Sequence, residues 1–167
     1  ASAPRIFTKV MKPIVATLRN MGHISANYID DSLLIGDSKD ECSTNLEARC
    51  SLLEKLGFVV NEKKSHKNPT QVLEYLGFVI NTMEMVVRLP AGKSSSIVEA
   101  CTHLLNQHHP TIRLVAQVIG KLISCFPAVP LGPLYYRNLE MAKDEALKLN
   151  NGNFSSHMIL PRESIAR

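Results

Sequence analysis

The chain has 167 residues and a mass of 18.5 kDa, room for one ordinary domain or two small, interdependent ones. Hydrophobic residues make up 45% and charged residues 20%, a globular composition that excludes a disordered chain. Eight Gly and nine Pro without a repeat exclude collagen-like, coiled-coil and low-complexity architectures. The longest stretch without a charge, residues 122–136, is interrupted by Pro127, Pro130 and Pro133. A bilayer span needs about 20 apolar residues, so no membrane partner is expected. No signal-peptide pattern opens the chain, and the expected location is intracellular, cytoplasmic or nuclear, and not secreted. The first residue is Ala1 and not Met, from which a cut end is expected. The net charge of +4 is uneven: residues 1–90 carry 11 Lys and Arg against 10 Asp and Glu, and residues 91–167 carry 8 against 5. That balance suits a polyanionic partner without demonstrating one. Cys42, Cys50, Cys101 and Cys125 show no CxxC spacing. On one helix Cys42 and Cys50 would stand ~12 Å apart, too far for a disulfide, and all four read as small buried hydrophobes in a reducing compartment.

Residues 4–21 place Phe7, Val10, Met11, Ile14, Leu18 and Met21 at helical spacing. Ser2 suits the N-cap, Pro4 the first turn and Gly22 the stop, while Pro13 predicts a kink. A short strand over 24–29, the pair Asp30-Asp31 and the apolar run Leu33-Leu34-Ile35 outline a tight hairpin with two carboxylates at or near its tip. Ser38-Lys39-Asp40-Glu41 is a capping box that opens a helix with Cys42, Leu46, Cys50, Leu53 and Leu56 on one face, ended by Gly57. Phe58-Val59-Val60 reads as a strand, and a basic loop follows with Lys63, Lys64, His66, Lys67 and Pro69. Runs 72–80 and 85–89 flank a turn at 81–84 and predict a second hairpin.

Beyond Pro90 the pattern becomes helical. Ser96 with Glu99 caps a predicted helix carrying Ile97, Cys101, Leu104 and Leu105, stopped by Pro110. Thr111 begins a second, with Ile112, Val115, Ile119, Leu122, Ile123 and Phe126 in register, and Pro133 a third that ends near Gly152. The fold class expected is α+β: a part with antiparallel hairpins packed on two helices over residues 1–90, then a three-helix bundle over 91–150. Residues 151–167 carry no strong signal and are expected to be tail or linker.

The sharpest chemical feature is Asp30-Asp31. An acidic turn is usually only solvated, but two adjacent carboxylates on a rigid hairpin repel unless a cation neutralises them. Hard oxygen ligands suit Mg²⁺ or Mn²⁺. Elsewhere, His108-His109 with Cys101 and His103 fits no zinc spacing and reads as structural. Asp37, Asp40 and Glu41 read as N-terminal helix charge favoured by the dipole.

Tyr28-Ile29-Asp30-Asp31 resembles the YxDD signature of reverse transcriptases, and its neighbours agree in order and spacing. Ser2-Ala3-Pro4-Arg5-Ile6-Phe7-Thr8-Lys9 is similar to the end of the preceding motif, a helix on the nucleotide side. Residues 56–65, with Lys63 and Lys64, resemble the following lysine-bearing motif. Leu73-Glu74-Tyr75-Leu76-Gly77-Phe78-Val79-Ile80 resembles the primer-grip hairpin. The flavour is that of LTR-type retroelements, with DIRS-like and gypsy-like members nearest. Residues 91–150 resemble a thumb more loosely, through Tyr135-Tyr136-Arg137-Asn138-Leu139-Glu140.

The resemblance implies part of a polymerase palm followed by a thumb, from an RNA-directed DNA polymerase that extends a primer by two-metal nucleotidyl transfer. It implies that Asp30 and Asp31 bind Mg²⁺ or Mn²⁺ and that Lys64, or Lys63, supports the departing pyrophosphate. Tyr28 would lie against primer or template, Tyr75, Leu76, Gly77 and Phe78 would hold the primer, and Pro4, Phe7 and Thr8 would sit on the nucleotide-side helix. The implied partners are primer–template, dNTP, an N-terminal palm and fingers segment and an RNase H region. The family also uses a third carboxylate on a strand upstream of the first helix, which this chain lacks, so the expected object is a fragment inactive by itself. Bland readings stand beside these: Phe7 and Met11 as helix core, residues 75–78 as a buried strand, Lys63, Lys64 and Lys67 as a solvated loop. The alternative function is a non-catalytic nucleic-acid-binding remnant of a decayed or domesticated retroelement. An unrelated metal-binding α+β protein accounts for the acidic pair but not for the other three motifs.

Overall fold

The computed structural model describes residues 2–161. The chain is α+β, with five helices and two small antiparallel sheets among the described residues. It divides into two compact units, the first running to Leu76 and the second starting at Gly77, whereas the change in sequence character lies near residue 90.

In the first unit, helix α1 (Ala3–Asn20) buries Met11, Ile14, Val15 and Leu18 on one stripe. Each such side chain contributes about 1.5–3 kcal/mol by leaving water. Pro4 occupies the first turn, where its missing N–H has no helical acceptor to lose. Ser2 stands at the N-cap without a side-chain capping bond, and the helix runs unbroken through Pro13. Val10 and Met21, expected on the apolar face, are exposed. The hairpin follows as β1 (Ile24–Tyr28) and β2 (Asp31–Ile35), paired antiparallel from Ile24↔Ile35 to Tyr28↔Asp31. Helix α2 (Lys39–Lys55) packs on both α1 and β2. Ser38 Oγ accepts from Glu41 N–H at 3.1 Å, as a capping box requires, while the Glu41 carboxylate accepts from Asp37 N–H, one residue before the usual position.

The inward face of α2 differs from the expected one. Its buried residues are Asn45 and Arg49, and Leu56 is exposed at the C-cap. The hairpin offers polar groups to this helix, so polar side chains bury there; Ala48, Leu52 and Leu53 pack instead against the α1 cluster. Gly36 marks the close approach of β2 to α2, since a Cβ there would lie 2.9 Å from the Cys42 backbone nitrogen. Phe58-Val59-Val60 forms no strand: Val59 is 96% exposed, and Phe58 is instead spent on an edge-to-face contact with Phe7, centroids 6.4 Å apart. Strand β3 (Val72–Tyr75) closes this unit.

The predicted run 72–80 is split, because Leu76 and Gly77 both take positive φ (+50° and +72°) and turn the chain. In the second unit β4 (Phe78–Asn81) pairs with β5 (Val86–Arg88), and Asn81 Oδ1 closes their turn by accepting from Met83 and Glu84 N–H. Helix α3 (Ala91–Leu105) starts directly after Pro90, not at Ser96. Ser96 lies within that helix, its hydroxyl accepting from Lys121 Nζ at 3.2 Å. Helix α4 (Ile112–Ile123) begins as predicted, with Thr111 Oγ1 accepting from Leu114 N–H. Helix α5 (Gly132–Leu149) packs on α4. Their shared core holds Leu104, Ile112, Val115, Val118, Ile119 and Leu139, joined by Met158 and Leu160. Residues 154–160 thus pack on the bundle: Phe154 and Ser156 carbonyls accept from Arg113 and Ile112 N–H, and His157 bridges to Thr111. The rest of the expected tail, residues 162–167, lies outside the described residues. No described helix is long and apolar enough to cross a membrane.

Candidate active site

The hairpin tip is set by alternation along its strands. Tyr28 and Asp31 are Cα partners on the last rung, so their side chains leave the same face of the pair, together with those of Ala26 and Leu33. Asn27, Ser32 and Ser25 leave the other face. Asp30 occupies the turn, and both aspartates and Tyr28 are exposed, Tyr28 at 57%. Ile29, the other turn residue, has φ +52°. A β-branched residue rarely adopts that conformation, which costs of order 1–3 kcal/mol and persists only where the surroundings hold it.

Those surroundings are polar. Arg49, buried on α2, donates from Nη2 to Asn27 Oδ1 at 2.8 Å and to Ser32 Oγ at 2.6 Å. The Ser32 hydroxyl donates to Asn27 Oδ1 at 3.0 Å, and Asn27 Nδ2 donates to Ser25 Oγ at 2.9 Å. One helical turn earlier, Asn45 Nδ2 donates to the carbonyls of Ile24 and Ile35, the rung at the open end. Arg49 Nη1 is buried without an acceptor among the described residues. Burial lowers the Arg49 pKa, against the opposing pull of Cys50 and Tyr75. The Tyr75 hydroxyl lies 3.4 Å from the Ala26 carbonyl and 3.5 Å from that of Asp31, long contacts that tie β3 to the hairpin. Burial, and then the Asp31 carboxylate, push the Tyr75 phenol above its usual range.

The other expected site residues are spread along the chain. Pro4 and Thr8 are exposed on α1, with Thr8 Oγ1 donating to the Pro4 carbonyl at 2.9 Å. Phe7 is half-buried against Phe58, in keeping with its reading as core. Lys63 and Lys64 are exposed on the loop after α2, and the neighbouring Lys67 is paired with Glu62 at 2.6 Å. Of the primer-grip set, Tyr75 ends β3 in the first unit, while Gly77 and Phe78 open the second. Lys93 Nζ stands 4.3 Å from the Phe78 ring centroid and 3.4 Å from the Ser124 carbonyl. Asn45, Arg49 and Lys93 escape the sequence reading. The signal for the first two was present, since positions 42, 45, 46, 49, 50 and 53 share one helix face and two of the six are polar.

No group of three or more His, Cys, Asp and Glu suited to a metal occurs among the described residues. The pair Asp30–Asp31 nevertheless fits Mg²⁺, which protein sites commonly hold through one or two carboxylates with water and substrate phosphates completing the shell.

Residues 1–80 match the family model described as reverse transcriptase (RNA-dependent DNA polymerase). The matched segment contains α1, the β1–β2 hairpin, α2 and the basic loop, and so every residue that the resemblance assigns to catalysis. No curated protein and no solved structure matches the chain. Reverse transcriptases as a family generally use divalent metal ions and act on nucleic-acid templates with dNTPs.

Proposed function

We propose that residues 1–90 are part of the catalytic palm of an RNA-directed DNA polymerase of retroelement type, and that the helices after residue 90 serve as its thumb. One observation carries this reading: two adjacent carboxylates stand exposed at the hairpin tip, Asp30 in the turn and Asp31 on the face shared with Tyr28, inside the stretch that matches the family. Asp30 and Asp31 would hold the divalent ions, which when bound offset the charge that develops on the attacking and leaving oxygens. In phosphoryl transfer the protein mainly positions groups and supplies charge, and the rigid hairpin is suited to positioning. Tyr28 offers an exposed ring beside Asp31 for a base or sugar at the primer end. Lys64, exposed on the loop after α2, would supply a cation for the pyrophosphate. Tyr75, Leu76, Gly77 and Phe78 would line the primer backbone, and the third carboxylate of the site would come from outside the described residues.

The test is primer extension by a polymerase that joins this chain to an upstream segment bearing the third carboxylate. Asp30→Asn and Asp31→Asn should each abolish Mg²⁺-dependent extension with the thermal midpoint nearly unchanged, because a solvated tip carboxylate contributes little to the core. Normal extension by either variant overturns the reading.

A further inference from the structure

The buried guanidinium of Arg49 is unexplained by packing. A cation taken out of water costs several kcal/mol unless it is compensated, and an apolar side chain of similar length commonly fills such a place at no loss of stability. Arg49 has no carboxylate partner among the described residues: its Nη2 is used on Asn27 Oδ1 and Ser32 Oγ, and its Nη1 on nothing described. What this arrangement does achieve is geometric. Asn27 and Ser32 are directly opposed across the two strands, one rung inside the Tyr28↔Asp31 pair. One nitrogen that holds both of them fixes the strands at the same level.

Register decides chemistry here. A strand slipped by one residue turns every side chain to the opposite face. Such a slip in β2 would aim Asp31 at α2 and send Ser32 out beside Tyr28. The two-residue turn opposes it, but burial adds little, because the apolar side chains of Ile24 and Ile35 are themselves exposed. Asn45 Nδ2 makes a second tie, to the backbone carbonyls of the Ile24↔Ile35 rung, and touches no hairpin side chain that faces the tip. Arg49 grips the side chains, reinforcing the direct Ser32 to Asn27 hydrogen bond across the strands.

We propose that Arg49 is a positioning residue that locks the register of the β1–β2 hairpin and so fixes the face from which Asp31 presents its carboxylate. That this matters for catalysis rests on the polymerase reading; the register lock itself does not. The experiment therefore uses the 167-residue chain with two readouts, amide hydrogen exchange along the hairpin and paramagnetic broadening of the Asp30 and Asp31 amide resonances by Mn²⁺ alone. Thermal midpoints are taken alongside. Arg49→Met should speed exchange of the β1 and β2 amides by tenfold or more and weaken the Mn²⁺ response about tenfold, with the midpoint unchanged or raised. Arg49→Lys, which keeps a donor, should recover part of both. Should Arg49→Met fail to fold, Ser32→Ala decides the matter, with at least a threefold rise in exchange expected. Unchanged exchange in a folded Arg49→Met, or in Ser32→Ala, overturns the proposal and leaves Arg49 an ordinary buried residue. Asp31→Asn is the separating control. If it leaves the Mn²⁺ response intact, the metal assignment fails, and the exchange data still decide the role of Arg49.

Discussion

Asp31 and Tyr28 face each other on the last rung of the hairpin, with only Ile29 and Asp30 between them along the chain. A carboxylate and an aromatic ring therefore share one surface at a point where the backbone has no slack.

Lys64 is exposed on the loop after α2, anchored by its own backbone N–H to the Asn61 carbonyl at 3.2 Å. As a cation that assists the leaving pyrophosphate, it should be worth roughly 10²-fold in the chemical step, the lower end of the range for one general acid. Single-turnover extension by Lys64→Ala should slow by that factor, with primer–template affinity reduced by no more than one phosphate contact. Weaker binding at an unchanged single-turnover rate would reassign Lys64 to the nucleic-acid backbone.

The 167-residue chain by itself should not synthesise DNA. Two carboxylates at the tip have no third acidic partner among the described residues, so a divalent ion would be held loosely. Nucleic-acid binding should be weak, indifferent to sequence and steeply reduced by salt, as counterion release requires. Extension assays with and without an upstream segment carrying a third carboxylate check this. Robust synthesis by the short chain would contradict the expectation, and silence from both, with binding retained, would favour a non-catalytic nucleic-acid-binding remnant.

Gly36 should tolerate no side chain. A Cβ would sit 2.9 Å from the Cys42 nitrogen and 3.1 Å from its Sγ, so the first turn of α2 would have to move. Gly36→Ala should lose about 1–3 kcal/mol in urea unfolding, the usual cost of overpacking. A loss below a few tenths would mean that β2 and α2 are less tightly joined than their geometry implies.

Tyr75 gives a signature at alkaline pH. Its phenol titrates higher in the folded chain than its ordinary value of 10.0, because burial and the Asp31 carboxylate both oppose the phenolate. The stability this shift carries is fully present below the unfolded pKa and is lost as pH rises through the folded one. Tyr75→Phe, which has no phenol to ionise, should therefore escape the loss of stability that the parent suffers as pH rises past about 10. A stability difference that stays constant from pH 8 to pH 11 would rule out this coupling.

Much of this molecule is legible in the sequence because local signals and tertiary packing agree. Thr111 caps α4 where expected, and the carboxylates stand at the tip that the flanking apolar runs predict. Legibility fails where packing overrides the local pattern. Ser96 and Glu99 imitate a helix start, yet Pro90 supplies an earlier one and the helix runs through them. Phe58-Val59-Val60 has the composition of a strand without a partner. Asn45 and Arg49 are polar by type and buried by circumstance, because the surface that faces them is itself polar. The helix-face pattern hints at this, but the facing polar groups follow from the hairpin's side-chain directions, and those depend on a register that composition does not state.

The segment at 154–160 bears on how the helical unit comes into being. Helix α4 begins with N–H groups that no residue of its own turn can accept, and those of Ile112 and Arg113 are taken up by carbonyls more than forty positions later. Met158 and Leu160 fill the same core from that distance. On a ribosome, α3 and α4 therefore emerge with an open end and an incomplete interior, and they close only when the residues after α5 arrive. The clasp that finishes the bundle is made last, and a chain stopped at Gly152 would leave the three helices present but their assembly unsealed.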